Sequence, residues 1–594
     1  MKEERNNSPP DLTMLRERLA RYPKRLITAL SRVAERQGMD LFVIGGTVRD
    51  WLLGRIPGDL DITVAYDAEA CCRALIAELG GGAFVPLGCP GEEAGRVVWR
   101  GLTAKDGLNP RKPGTMAKDG QVSRAPWTAQ ERLAGAVTAK DGLNPWEPGM
   151  AGAVTAKDGL NPWEPGMAGA VTAKDGLNPW EPGMAGAVTV DFSSFRQRAQ
   201  TIEADLGLRD YTVNAMGVSF AALLDRAVTL HLLDPLHGLD DLEEKILRAC
   251  PQAFLADPLR MLRGYRLCAT LDFRIEEATR VEIERHVDLI RTVSVERISH
   301  ELDLIMVSDR AHAVLGEMAQ VGLLWQIIPA LARGVGMEQP GFHHLDVFHH
   351  SLAALGFMEE ILADPDRFYP ECAARIREYI GQPGMKVWLK WAALLHDLGK
   401  PVTVAVREDK DGRVTFYNHD QVGKELVMKL GRELRWSNDN RERVAALIGM
   451  HMQPFHLCNV RREQPLSRKA CLKLSKKAGD DLIGLFLLAM ADSLAGQGEK
   501  KPPMMEAELS GLLGEVLAIY EQYIQPAIKG PRLLNGQDLI TSFSLPPGPL
   551  FAKILDALQE AQVEGEVASK EDAHIWVRRY LEQEQKGRNN ESLE

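Results

Sequence analysis

Val43-Ile44-Gly45-Gly46-Thr47-Val48-Arg49-Asp50, followed by Gly58-Asp59-Leu60-Asp61-Ile62-Thr63-Val64, decides how this chain is read. An apolar strand runs into a Gly-Gly turn and then a helix. Beyond it stand two carboxylates one residue apart. On a strand, residues i and i+2 share a face, so Asp59 and Asp61 point at one spot. Two close carboxylates repel unless a cation sits between them, and hard oxygen ligands suit Mg²⁺. The turn at Gly45 and Gly46 exposes backbone N–H groups that can cradle phosphate beside a helix N-terminus. A phosphate cradle next to metal-binding carboxylates argues for nucleotidyl transfer.

The chain has 594 residues, enough for about three to five domains. Its 45% hydrophobic and 26% charged residues are ordinary for a soluble globular protein. No apolar run is long enough to span a bilayer. The polar start, MKEERNNSPPDL, lacks an apolar signal core, and the expectation is a cytoplasmic protein without membrane contact. The eight cysteines are scattered, with no CxxC pair, and read as reduced thiols. A net charge of −11 does not mark a nucleic-acid binder, so an RNA substrate requires a local basic surface.

Helical periodicity covers Leu15 to Gln37, and a strand, turn, helix and second strand follow through Val64. Asp67–Leu79 reads as a helix, Ala83–Leu87 and Arg96–Arg100 as strands. From Gly135 the sequence GAVTAKDGLNPWEPGMA recurs with a period of 17, at Gly152, Gly169 and, truncated, Gly186. Its units are rich in Gly and Pro and poor in core residues, which predicts a flexible surface insertion over 101–188. The tryptophans Trp146, Trp163 and Trp180 keep a binding module open as an alternative. Val190-Asp191-Phe192 resumes a strand expected to pair with Arg96–Arg100, and beyond Ala215 the pattern is almost wholly helical. The expected fold is α+β: a small mixed-sheet head followed by all-α domains. The division is a polar segment 1–23, a head 24–217, a helical neck 218–335, a histidine-bearing helical domain 340–500 and a helical tail 501–594.

The whole string GGTVRDWLLGRIPGDLDI resembles the signature of the class II tRNA nucleotidyltransferase and bacterial poly(A) polymerase family, within the polymerase β superfamily. That resemblance implies a polymerase-β-like head in which Asp59 and Asp61 bind Mg²⁺, with Gly45, Gly46 and Arg49 at the nucleotide. It also implies a third carboxylate on a later strand, a position Asp191 matches; a capped strand end is the other reading of Asp191. One metal would then activate the RNA 3′-hydroxyl and the other hold the triphosphate. Asp205-Leu206-Gly207-Leu208-Arg209-Asp210-Tyr211-Thr212-Val213-Asn214-Ala215 resembles the family motif D-L-x-R-R-D-F-T-I-N-A, which contacts the sugar and phosphates. Arg209, Asp210 and Asn214 match it, and Leu208 stands where the family has an arginine. Ala256-Asp257-Pro258-Leu259-Arg260-Met261-Leu262-Arg263 resembles E-D-x-x-R, with Ala256 in place of the glutamate. Asp257 and Arg260, at i and i+3 on one helix face, would read the base edge, with Arg263 beside them. Glu296-Arg297-Ile298 and Glu301-Leu302 resemble a further motif expected to be structural in the neck.

One departure bears on subtype. Family members that add a whole CCA end usually carry a longer flexible loop after the third-carboxylate strand, and enzymes adding only two cytidines lack it. Here only a few residues separate Phe195-Arg196 from Ile202, which points to a CC-adding specialist.

His350, His396-Asp397 and Asp492 match the H…HD…D pattern of the HD phosphohydrolase superfamily, around Leu394-Leu395-His396-Asp397-Leu398-Gly399-Lys400-Pro401. Imidazole with carboxylate suits a divalent transition metal or Mg²⁺, and His419 and His451 could support a second ion. His349 competes with His350 on periodicity. By resemblance, such domains act on 2′,3′-cyclic phosphates or 2′-nucleotides, and the tail around Lys529–Leu539 helps hold tRNA. The expected function is template-independent addition of C and/or A to the tRNA 3′ end from CTP and ATP, with an appended phosphohydrolase. A poly(A) polymerase, a phosphohydrolase with an inactive transferase head, and an RNA-binding scaffold are the competing readings.

Overall fold

The computed structural model describes residues 12–87, 93–100, 187–339, 341–407 and 413–591. The predicted insertion falls outside the described residues up to 186. Its last two residues, Ala187 and Val188, belong instead to a strand of the sheet.

Six strands form the head: β1 Phe42–Ile44, β2 Asp59–Val64, β3 Ala83–Leu87, β4 Ala94–Arg100, β5 Ala187–Ser194 and β6 Gly217–Ser219. Their order is β3-β4-β5-β2-β1-β6, with β2 and β5 parallel and every other pair antiparallel. Along β2 the residues alternate. Leu60, Ile62 and Val64 are buried in the core, so Asp59 and Asp61 turn to the opposite face. The expected pairing of Arg96–Arg100 with the strand at Val190 is present, with Arg96 opposite Asp191.

Three expectations are corrected here. The segment 1–23 is not simply polar. Thr13–Leu19 is a helix whose Leu15 and Leu19, one turn apart, are buried with Tyr22 in the head core. The helical run to Gln37 is broken at Pro23, and a second helix, Lys24–Gln37, starts there, because the residue before a proline avoids the α region. The sheet also extends past residue 217, since β6 pairs with β1. Short strand pairs at Ile246–Leu247 with Arg274–Ile275, and at Ala405–Arg407 with Arg413–Thr415, interrupt the helical remainder.

Behind the head, helix Leu259–Leu271 packs on helix Val295–Val307. Helix Val347–Ala363 then packs on Met385–Leu395 and Leu482–Ala495, and helix His419–Glu433 packs on Asn438–Ile448. One continuous apolar core runs from Leu15 through the head into this bundle. The tail helices Gly536–Phe543, Pro549–Glu564 and Lys570–Glu591 have a separate small core around Leu539, Ile554, Leu558 and Val577.

Candidate functional site

Register assembles the acidic cluster. On the parallel pair β2 and β5, Asp61 stands beside Asp191 and Asp59 beside Thr189, so three carboxylates share one face. Thr47, in the helix Gly45–Leu52, fixes Asp61. Its N–H and hydroxyl lie 3.2 and 3.3 Å from Asp61 Oδ2, and its oxygen accepts the Asp61 N–H at 2.8 Å. Arg96, on β4, grips Asp191 through two bonds of 2.8 Å, Nε to Oδ1 and Nη2 to Oδ2. Burial, and then the Asp191 charge, push the Asp61 carboxyl up to about 6. Burial raises Asp59 too, with Arg96 opposing and Asp191 adding to the rise. Converging carboxylates that resist ionising are the donor chemistry a divalent cation satisfies.

The glycine turn works differently from the expectation. The Gly45 N–H already donates to the Met216 carbonyl at 3.0 Å, and the Thr47 N–H points at Asp61, so neither is left for phosphate. What the glycines supply is closeness. At Gly45, with φ +64°, a Cβ would lie 3.3 Å from Arg209 Nη1, and at Gly46 it would lie 3.2 Å from Asp61 Oδ2.

A cleft of about 340 Å³ opens there, with Asp61 and Asp191 on one side and Arg196, Arg209, Arg260 and Arg263 on the other. Asp205 orders two of the arginines. It accepts from Arg209 Nη2 at 2.9 Å and from the Arg196 N–H at 2.8 Å, with Arg196 Nη1 at 3.3 Å. Arg209 Nε is buried without a partner. Burial and the nearby Arg196 bring Arg209 down to about 10, still cationic at neutral pH. Asn214 joins Arg49 (2.7 Å) to Asp210 (3.0 Å), and Arg263 closes the chain on Asp210 at 3.2 Å. Although burial acts against it, Arg263, Asn214 and Arg260 hold the Asp210 carboxyl well below its usual range.

The predicted base-reading pair is not on one helix face. Asp257 sits in the break between the helices Ala253–Ala256 and Leu259–Leu271, in an extended conformation forced by Pro258. Its carboxylate caps the Leu259 N–H at 3.1 Å and meets Arg297 at 2.7 Å, so Arg297 has a definite partner. Arg260 does line the cleft, yet its Nη1 is bonded at 3.0 Å to the carbonyls of Leu208 and Arg209. Glu301 pairs with Arg266 at 2.6 Å.

After β5 the connector is short. Phe195 N–H bonds the Val64 carbonyl at 3.0 Å, a 3₁₀ turn spans Arg196–Arg198, and the helix Ile202–Gly207 follows, capped by Thr201. With Arg196 tied to Asp205, the connector is anchored at its start.

A second cluster lies in the helical bundle, with His350, His396, Asp397, His451 and Asp492 all buried and His419 partly so. His350 Nε2 is 3.0 Å from Asp492 Oδ1 and 3.3 Å from His396 Nε2; His396 Nε2 is 3.2 Å from Asp397 Oδ2; His419 and His451 face each other at 3.2 Å. Of the two adjacent histidines, His349 is exposed and bonds only the capping Asp346. Asp397 Oδ2 accepts from Lys400 at 2.6 Å, whereas Oδ1 is buried without a partner, 3.6 Å from His419 Nε2. An orphaned carboxylate oxygen among converging imidazole nitrogens fits one or more divalent ions. Burial works against a charge on His396, but Asp397 and Asp492 outweigh it and lift the ring to about 10. A proton there is the counter-charge that a metal would displace. Burial and Lys400 push the neighbouring His343 down to about 3.

Sequence reasoning missed Thr47, Arg96, Arg196, Lys400 and His343. Thr47 lay inside the quoted motif. Arg96 needed the exact strand register, and His343 needed the tertiary fold.

The family described as "Probable RNA and SrmB- binding site of polymerase A" matches residues 272–334, "HD domain" matches 347–495, and "tRNA nucleotidyltransferase domain 2" matches 507–576. The chain is 32% identical over 388 residues to the A-adding tRNA nucleotidyltransferase of Deinococcus radiodurans, covering 64% of this chain and 80% of that one. It is 27% identical over 569 residues to the CC-adding tRNA nucleotidyltransferase of Geobacter sulfurreducens, covering 94% and 95%. In fold it is similar to the Thermotoga maritima CCA-adding enzyme complexed with tRNA, with a TM-score of 0.54 at 17% identity over 96% of this chain and 98% of that one. Among the described residues no helix is long and apolar enough to cross a membrane.

Proposed function

Because the chain belongs to the tRNA nucleotidyltransferase family, we propose that it extends the tRNA 3′ end with CTP and/or ATP and stops after two cytidines. The observation that carries the CC reading is the short connector after β5, anchored through Arg196 and Asp205, where a site that switches nucleotide needs a longer mobile loop. The relative matched over nearly the whole length is CC-adding, which agrees. An A-adding enzyme is the second reading, favoured by the Deinococcus relative.

Asp59 and Asp61 would hold Mg²⁺, which supplies a polarised 3′-hydroxyl and a neutralised triphosphate. Asp191 adds a third carboxylate beside Asp61, and Arg96 keeps it aimed. Arg209, with its unpartnered Nε, and Arg196 face the cleft as cations for the triphosphate. Asp210, held ionised, and Asn214 fix Arg49 and Arg263 around the nucleotide. Arg260 keeps the segment at Leu208–Arg209 in place and, with Arg263, is the group we assign to the base edge. Asp257 acts from outside the cleft by holding Arg297.

The helical centre is assigned to hydrolysis of phosphoesters at damaged RNA ends, with His350, His396, Asp397, His419, His451 and Asp492 as ligands of a divalent transition metal or Mg²⁺. The tail beyond residue 501 is assigned to holding tRNA, and the cytoplasm, where tRNA is matured, to the whole enzyme.

The test uses tRNA transcripts ending at the discriminator base, at C and at CC, each given CTP, ATP or both and resolved to single nucleotides. Two cytidines and a stop are expected. Addition of A alone to the CC transcript would establish the A-adding reading, complete CCA would overturn the connector argument, and long A tracts would indicate a poly(A) polymerase.

A further inference from the structure

Four imidazoles converge on the helical centre, and three of them are oriented in one way. The Nδ1 of His396 lies 2.9 Å from the Ala393 carbonyl, that of His451 2.7 Å from Ile448, and that of His419 2.8 Å from Phe416. Each acceptor is three residues upstream, in the last turn of a helix or in the turn before one; the Ile448 and Phe416 carbonyls also take the backbone N–H of His451 and His419, at 3.4 and 3.2 Å. Donation from Nδ1–H fixes the tautomer and turns the Nε2 lone pair to the centre.

His350 does not use this device. It sits in the first turn of helix Val347–Ala363, and its ring nitrogens meet side chains. Its Nδ1 faces another ring instead. His343 Nδ1 is 3.3 Å away, with the rings edge to face and centroids 4.2 Å apart. Two facing ring nitrogens form a bond only if one carries the proton and the other does not. When a metal held between Asp492 and His396 takes the His350 Nε2 lone pair, the proton belongs on His350 Nδ1 and the acceptor is His343.

The His343 loop is held firmly. Gly498 N–H and Lys500 N–H bond the carbonyls of Phe342 and Gly341, both at 2.9 Å. A Cβ on Gly498 would come within 2.5 Å of His343 N, and one on Gly496 within 3.3 Å of His343 Nδ1. The segment that presses on His343 is the continuation of helix Leu482–Ala495, which carries Asp492. Two of the groups that touch His350, Asp492 and His343, are therefore set by one element.

We propose that His343, outside the segment matched by the HD family, is the positioning residue of this centre: its Nδ1 accepts the His350 Nδ1–H, fixing the tautomer that presents His350 Nε2 to the metal. The inference rests on reading the cluster as a metal centre, and the test separates the two. The full chain carrying Asp59→Ala and Asp61→Ala, which silence the other carboxylate site, is titrated with Co²⁺ and followed by visible absorption. Four further variants are compared in that background: His343→Phe, His343→Asn, His343→Ala and Asp397→Ala. His343→Phe keeps a ring and removes the acceptor; the expected weakening is about 10- to 100-fold. His343→Asn, whose Oδ1 can replace Nδ1 as acceptor, is expected to restore binding close to the parent. His343→Ala repeats the contrast with His343→Asn should the phenyl ring not fit. With Asp59 and Asp61 intact, unchanged nucleotide incorporation by His343→Phe reports a folded chain. Unchanged Co²⁺ affinity in both His343→Phe and His343→Ala, with loss in Asp397→Ala, would overturn the inference and leave the metal centre standing. Loss of one Co²⁺ per chain in both His343→Phe and His343→Asn would also overturn it, by making His343 a ligand. Co²⁺ binding unaffected by Asp397→Ala would remove the metal centre itself.

Discussion

The cleft in the head and the centre in the bundle both gather carboxylates toward a cation, by opposite routes. In the head, two neighbouring strands suffice, because register brings Asp61 beside Asp191 and pleating puts Asp59 on the same face. The cluster is open to solvent at Asp59 and is balanced by Arg96, with Arg209 also acting on Asp61. In the bundle the candidate donors come from separate helices and turns, are largely buried, and are mostly imidazoles. An open site built on strands can admit a nucleotide and an RNA end together. A buried site built on helices draws its groups from far along the chain. Local sequence therefore reveals the first more completely than the second.

The sharpest way to break this comparison is to disable one centre and assay both. Asp59→Ala or Asp61→Ala removes a metal ligand worth several kcal/mol at the transition state, so nucleotide incorporation is expected to fall by at least about 10³-fold. Hydrolysis of a 2′,3′-cyclic nucleotide is expected to stay at the parent rate. Retained incorporation in both variants would mean that the carboxylate pair is not the transferase centre.

The reciprocal double variant, His396→Ala with Asp397→Ala, is expected to abolish hydrolysis and bound transition metal while leaving CTP incorporation intact. Hydrolysis that survives would make the bundle a scaffold. A parallel loss of incorporation would mean that the bundle and head are coupled through the continuous core that joins them.

The two centres also differ in how far their parts could be read in advance. Asp59 and Asp61 could be placed on one face because strand periodicity is exact, Asp191 was reached only through the family resemblance, and the pairing of β4 with β5 followed from chain order. The register was not legible, so Arg96 opposite Asp191 was missed. The placement of Asp257 on the Arg260 helix ignored Pro258, a signal that was present in the sequence. The glycine turn was recognised, but its N–H groups were given to phosphate when Met216 takes one of them. In the bundle, the spacing of His396, Asp397 and Asp492 identified the domain, whereas the choice of His350 over His349 depended on which side of a helix faces its neighbours. His343 lies in a loop with no periodicity at all.

Arg96 sharpens the contrast on the head side. Its paired bonds to Asp191 are charge-assisted, but the guanidinium is 37% exposed, so solvent weakens them. For Arg96→Met, kcat is expected to fall about tenfold, equivalent to about 1.4 kcal/mol, as Asp191 loses its orientation. The Mg²⁺ concentration for half-maximal activity is expected to decrease, because one competing cation has been removed. An increased Mg²⁺ requirement would indicate that Arg96 helps build the site and does not merely balance it.

The smallest expected effect is a pH dependence that differs between the two centres. Burial and Asp191 raise the Asp61 carboxyl to about 6 in the folded protein, against 3.8 for the ordinary group. A carboxylate whose folded pKa is raised favours the fold while it is protonated, so its contribution is complete below about 4 and is lost as pH rises toward 6. In EDTA, the stability difference between Asp61→Asn and the parent is therefore expected to grow from pH 4 to pH 6 in favour of Asp61→Asn and to level off above it. Its size should be about 1 kcal/mol after allowance for the solvent that reaches the cleft. Saturating Mg²⁺ should reverse the sign, since only the parent gains from the ion. The bundle should respond differently. The raised pKa of His396 belongs to a base, so in EDTA the protonated ring contributes stability below its ordinary value of 6.5, and that contribution is lost only as pH rises through about 10. Melting curves of Asp61→Asn and His396→Ala, each compared with the parent between pH 4 and pH 9 in EDTA, separate the two centres. The Asp61→Asn difference should change only below pH 6 and the His396→Ala difference only above it. A single shared transition in both series would mean that the two clusters titrate as one.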